Sequence, residues 1–192
     1  MTSALIFDCD GTLTDSMPLH FICWRQTMLA HGLEFSEDRF YALGGMPTSK
    51  IIAMLSQEQG VPVDVDSVAM QKEQAFIDRL HTLEPIPQIV EIARQARGKL
   101  PMAVASGGYR DIIHQQLEVI GCGGWFDTVV SAEDTQRHKP EPDVFLEAAR
   151  RLNVPPHLCT VYEDADFGVE AARRAGMQCV DVREVHRPRR IT

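Results

Sequence analysis

The sequence lacks any long apolar run; stretches such as Leu5-Ile6-Phe7 are far too short to span a bilayer. It also lacks an excess of positive charge. Nineteen Lys and Arg stand against 27 Asp and Glu, a formal charge of -8. That balance argues against nucleic acid or an anionic membrane as partner. The one basic cluster, Arg187, Arg189 and Arg190, lies at the C-terminus and reads as a solvated tail. No basic stretch followed by an apolar run marks the N-terminus as a signal peptide. Cysteine is sparse: Cys9, Cys23, Cys122, Cys159 and Cys179 are odd in number, and no pair has metal-ligand spacing. Cys159 and Cys179 sit in apolar runs and read as small buried hydrophobes. A reduced, cytoplasmic protein is the expectation. Internal repeats and low-complexity segments are absent too.

What is present suits a globular chain. An apolar fraction of 44% in 192 residues allows one domain, or a core domain with a modest insertion. Five short runs read as strands: Ala4 to Phe7, Met102 to Ala105, Thr128 to Val130, Thr160 to Tyr162 and Cys179 to Val182. They are continuously apolar, as strands covered on both faces are. Helical patterns separate them at Tyr109 to Ile120, Pro142 to Leu152 and Ala165 to Ala175, the last followed by Gly176 as a C-cap. This alternation predicts an α/β fold with a doubly wound parallel sheet and right-handed crossovers.

One interval of about ninety residues, between the first two strands, holds no strand pattern. Three helical patterns fill most of it: Pro18 to His31, Thr48 to Gln59 and Asp66 to Leu80. Thr48-Ser49 is the expected cap of the second and Asp66-Ser67 of the third. Gly44-Gly45-Met46-Pro47 reads as a loop, and Glu84-Pro85-Ile86-Pro87 as an extended return linker. The expected division is a core of residues 1–15 and 84–192, with residues 16–83 as a small helical cap over the end of the sheet.

Ligands bind at the carboxyl ends of strands in an open parallel sheet. The first strand runs into Asp8-Cys9-Asp10-Gly11-Thr12, two carboxylates and a glycine able to turn sharply. The second runs into Ser106-Gly107-Gly108, a hydroxyl and exposed N–H groups suited to an anion. Lys139-Pro140-Glu141-Pro142 follows the third, and Glu163-Asp164-Ala165-Asp166 the fourth. Taken singly, each has a plain reading: an aspartate turn, a strand-to-helix turn, a solvated lysine, acids at a helix N-terminus. Together, Asp8, Asp10, Glu163 and Asp164 would share one rim. Clustered carboxylates raise one another's pKa or recruit a metal. All-oxygen donors favour Mg²⁺ over zinc. With Lys139 to offset charge, such a cluster suits phosphoryl transfer: one carboxylate attacks phosphorus, and another handles protons at the leaving group.

With these residues in this order the chain resembles the haloacid dehalogenase superfamily over nearly its whole length. The resemblance implies Asp8 as nucleophile and Asp10 as general acid/base. It puts Ser106, Gly107 and Lys139 at the phosphoryl oxygens. Mg²⁺ would be held by Asp8, Asp164 and the Asp10 carbonyl, with Glu163 supporting it directly or through water. The insertion is similar to the four-helix cap of the β-phosphoglucomutase-like branch, which would bring Gly45, Lys50 and His20 to the substrate; His20 is also open to a purely structural role. Within that branch the chain looks like small bacterial sugar-phosphate phosphatases, acting on a small phosphate ester as a monomer or weak dimer. A phosphosugar mutase is the first alternative. Against it, Thr48 stands where such a mutase would place an arginine for a second phosphate, and the nearest base is Lys50. A phospho-accepting receiver-like module is the second alternative. A receiver needs neither Asp10 nor a cap.

Overall fold

The computed structural model describes residues 2–191. Its sheet is five-stranded and parallel, in the order β3-β2-β1-β4-β5. The strands are β1 (Ala4–Phe7), β2 (Met102–Ala105), β3 (Thr128–Val130), β4 (Cys159–Glu163) and β5 (Gln178–Asp181). Registers such as Leu5 with Met102 and with Thr160 align the carboxyl ends of the three central strands.

Side-chain alternation along these strands builds two separate cores. Ile6, Ala103, Ala105 and Val161 meet helices α7 (Asp143–Leu152) and α8 (Asp166–Arg174) through Phe145, Ala148 and Ala172. Leu5, Phe7, Met102 and Val104 face the other way. They meet α5 (Pro87–Ala96) and α6 (Arg110–Val119) through Ile89, Ala93, Ile113 and Leu117. All four helices are amphipathic, and burying both faces explains why the strands carry so few polar residues. The small alanines let α7 and α8 approach the sheet closely.

Between β1 and β2 come α1 (Met17–Ala30), α2 (Glu37–Ala42), α3 (Thr48–Gln59) and α4 (Val65–Ile77). They enclose their own cluster, with Phe21, Trp24, Met28, Phe40, Ile52 and Leu55 at its centre. The chain leaves and returns through adjacent backbone. Asp15 N–H donates to the Glu84 carbonyl, Ile86 N–H to the Leu13 carbonyl, and Thr14 bridges Pro85.

Four local expectations change. The stretch read as a return linker already starts α5, because Pro87 stands at the first helical positions, where a proline's missing N–H costs nothing. Helix α2 follows Ser36, whose hydroxyl accepts from Arg39 N–H. Thr48 does not cap α3; Pro47 holds that position. Asp64, not Asp66, caps α4, accepting from Ser67 N–H at 3.2 Å.

The basic C-terminal tail is not simply solvated either. After β5 it crosses to the insertion. His186 stands 3.2 Å from Asp15. The Arg190 guanidinium lies 4.2 Å from the centre of the Tyr41 ring and pairs with Asp38. Ile191 N–H donates to Glu37 Oε1 at 2.8 Å, and the Ile191 side chain packs on the insertion's apolar cluster. Burial, and then the Glu37 charge, push the pKa of the Tyr41 hydroxyl up to about 12, with Arg190 working against that rise. The five cysteines are all free thiols. Among the described residues no helix is long and apolar enough to cross a membrane.

Candidate active site

β1 ends at Phe7, and the chain then turns tightly, with the Cys9 carbonyl accepting from Leu13 and Thr14 N–H groups. Gly11 makes the turn possible at φ +80°. A Cβ there would also lie 2.1 Å from Asp164 Oδ2, so the turn and the carboxylate behind it are packed backbone against side chain. Thr12 Oγ1 donates to Asp164 Oδ1 at 3.1 Å. The end of β1 and the end of β4 thus hold each other in register.

Lys139 reaches this point from the loop after β3. Its ammonium donates to Asp8 Oδ1 at 2.7 Å and to Glu163 Oε2 at 2.6 Å. Glu163 Oε1 accepts from Asp164 and Ala165 N–H groups. Both Glu163 oxygens are therefore engaged, which suits the supporting role better than direct ligation. Gly168 on α8 leaves room for that side chain; a Cβ there would fall 2.0 Å from Glu163 Cδ. Asp166 sits apart in the first turn of α8, paired with Arg183. Of the acids after β4, only Asp166 plays the helix-terminus part.

Electrostatics follow from burial. Burial raises the Asp8 pKa to about 7, Lys139 working against that rise and Glu163 with it. Burial and then the charges of Glu163 and Asp8 push Asp164 well up. For Lys139 burial acts to lower the pKa, but Asp8 and Glu163 outweigh it and the ammonium is held above its usual range.

Asp10 belongs to a second network. Its Oδ1 accepts from Ser16 Oγ at 2.6 Å and lies 3.0 Å from His20 Nε2. Burial would raise this carboxyl, but His20, Ser16 and Gln116 hold it well below the usual range. The His20 ring stacks on Phe76, and its Nδ1 faces Lys72 Nζ at 3.0 Å. Lys72 is 3% exposed and also donates to Glu73 Oε1, which takes a further hydrogen bond from Thr48 at 2.8 Å. The chain of contacts joins the end of β1 to α1, α4 and α3.

The end of β2 supplies the turn expected to hold an anion. Ser106 is 2% exposed, and its Oγ accepts from Gly108 N–H at 3.1 Å. The insertion's loop rests on this turn: a Cβ at Gly107 would lie 3.9 Å from the Gly45 carbonyl, and one at Gly45 3.7 Å from Lys139 Cβ. A cavity of about 380 Å³ remains between sheet and insertion. Asp8, Asp10, Ser106, Gly107, Lys139, Glu163, Asp164, His20 and Gly45 all line it. Lys50 does not; it lies in the first turn of α3, exposed and outside the lining. Its charge, after burial, helps to lower the pKa of His138 at the cavity wall. Sequence reasoning missed Ser16, Lys72, Glu73 and Gln116. A hydroxyl two residues past the aspartate turn's end was the one local signal, and the other three are joined only by packing.

Asp8, Glu163 and Asp164 offer oxygens within 4.8 Å of one another. Three carboxylates face one buried ammonium, and two of them are pushed upward by burial and then by neighbouring carboxylate charge. An all-oxygen set with excess negative charge fits a hard divalent cation such as Mg²⁺.

A buried carboxylate beside a lysine, a serine and a glycine turn suits phosphoryl transfer. The profile of haloacid dehalogenase-like hydrolases matches residues 5–182. Fructose-1-phosphate phosphatase YqaB of Escherichia coli is 40% identical over 182 residues, 94% of this chain and 96% of that protein. A phosphorylated carbohydrates phosphatase of Thermotoga maritima is 28% identical, over 91% of this chain and 82% of that one. Among solved structures, a β-phosphoglucomutase from Clostridium difficile superposes with a TM-score of 0.86 at 23% identity. That match covers 94% of this chain and 84% of the other, and shows the shared fold. The chain belongs to the haloacid dehalogenase-like hydrolase family, and it is a phosphatase.

Proposed function

We propose that this phosphatase hydrolyses a small sugar monophosphate through an aspartyl-phosphate on Asp8, with residues 16–83 acting as a cap over the substrate. The observation that carries the reading is the Lys139 bridge between Asp8 and Glu163, next to Asp164. It keeps the Asp8 carboxylate oriented and offsets the repulsion an incoming phosphate meets. A cavity of about 380 Å³ has room for a sugar phosphate, not for a polymer. The 40% identical relative being a fructose-1-phosphate phosphatase supports the substrate class.

In the first step an Asp8 oxygen bonds to phosphorus while the ester P–O bond breaks, and Asp10 gives its proton to the leaving alkoxide. In the second, water attacks phosphorus, Asp10 takes the water's proton, and the Asp8–phosphorus bond breaks to release inorganic phosphate. Ser16 and His20 occupy Asp10 Oδ1. A Cβ at Gly108 would be 3.7 Å from Oδ2, the oxygen on the Ser106 side, and this one serves the reacting atoms. The network favours the Asp10 carboxylate, the form needed against water; the negative phosphoryl group entering beside it favours the protonated form needed first. Ser106 and the Gly107 N–H hold phosphoryl oxygens. Mg²⁺ would be held by Asp8, Asp164 and the Asp10 carbonyl; when bound it offsets phosphoryl charge. A turnover screen over sugar monophosphates, with and without Mg²⁺, tests the reading. Phosphate release from none of them would overturn it.

A further inference from the structure

The cavity is not evenly charged. Its lysines are Lys72 and Lys139. Both are buried and already bound to carboxylates: Lys139 to Asp8 and Glu163, Lys72 to Glu73. The Lys72 ammonium is further enclosed by the rings of Trp24 and Phe76, 5.4 and 5.6 Å away. Away from the catalytic aspartates the wall carries two more acids, Glu73 on α4 and Glu133 after β3. Glu133 already accepts from Arg110 N–H. Glu73 uses Oε1 for Thr48 and Lys72, and among the described residues no donor reaches its Oε2.

A carboxylate oxygen in that position accepts a hydrogen bond from a hydroxyl. As the acceptor end of the Lys72–Glu73 pair it disfavours a carboxylate or a phosphate, and no unpaired lysine stands in the cavity lining to attract one. Ser49 and Tyr109 add neutral polar groups to the same lining. We propose that Glu73, oriented by Thr48 and Lys72, is the specificity-determining residue that restricts the enzyme to monophosphates whose far end is an uncharged polyol. The inference rests on the sugar-phosphate reading above and adds to it the exclusion of bisphosphates and sugar acids.

The test compares fructose 1-phosphate with fructose 1,6-bisphosphate, which differ by one phosphoryl group at the far end. Phosphate release is followed for wild type and Glu73→Gln, with folding checked by circular dichroism. The wild type should prefer the monophosphate in kcat/KM. In Glu73→Gln the carboxylate is gone and Lys72 is released, so the preference should fall at least about tenfold, an ordinary effect of removing one like charge from a contact. Raising the salt concentration should narrow the wild-type preference, since screening weakens the same repulsion; this arm needs no variant. A folded Glu73→Gln with an unchanged preference overturns the inference, as does a wild type that cleaves both esters equally well. No turnover of any sugar monophosphate by wild type would sink the sugar-phosphate reading as well, whereas turnover with an unchanged ratio sinks the inference alone.

Discussion

The two walls of the cavity are built differently. The sheet wall is held by backbone: Gly11 and Gly168 pack directly on Asp164 and Glu163, and a methyl group at either would overlap them. The helical wall is held by side chains reaching one another, Ser16 and His20 on Asp10, Lys72 on Glu73, Thr48 on Glu73. A backbone-packed wall has one arrangement, whereas a side-chain wall can be retuned by single substitutions. The proposed nucleophile and metal site belong to the first, and the proposed substrate selection to the second.

Substitutions grade along that contrast. Asp8→Asn should abolish turnover with the fold intact, since an amide is no nucleophile. Steady-state release above about a hundredth of wild type would overturn the assignment. Chelating Mg²⁺ should stop turnover reversibly, and high Ca²⁺ should inhibit, because it prefers more ligands and looser geometry. Full activity in chelator would refute the metal claim. Asp10→Asn should cost on the order of a hundredfold to ten-thousandfold for sugar phosphates. An aryl phosphate, whose leaving group needs little protonation, should lose less. Equal losses would remove the acid role. Gly11→Ala combines a left-handed backbone with an overlap on Asp164, so Tm should fall by several degrees, with a cost of about 1–3 kcal/mol. An unchanged melting curve would show that the two strand ends are not packed as described. Lys50→Ala should leave kcat/KM within about twofold, as an exposed charge outside the cavity contributes little. A tenfold loss would return Lys50 to the substrate.

The sheet wall was far more legible in the sequence than the helical one. β1, β2 and β3 begin and end where apolar runs predict, because burial on both faces leaves no other pattern. The order of strand-end motifs was enough to gather Asp8, Ser106, Lys139, Glu163 and Asp164. Short and proline-led helices were harder. α2 has six residues, too few for periodicity, and its marker was Ser36 followed by Glu37 and Asp38. α5 hid behind Pro85 and Pro87, though Ile89, Ala93 and Ala96 recur at helical spacing. The link from Asp10 to Lys72 could not be read at all. It joins residues sixty-two positions apart through two helices whose relative packing has no local signal.

The strap formed by the tail bears on how such proteins can be recombined. Arg190 and Ile191 issue from the core but lie on α2, against Tyr41, Asp38 and Glu37. By packing they belong to the insertion, although the chain reaches them last. Exchanging residues 16–83 for the matching segment of a relative would leave the tail facing a foreign docking surface, with Ile191 deprived of its apolar seat. A graft should therefore carry Arg190 and Ile191 together with the helices, and such grafts should retain solubility where grafts of the helices alone expose Ile191.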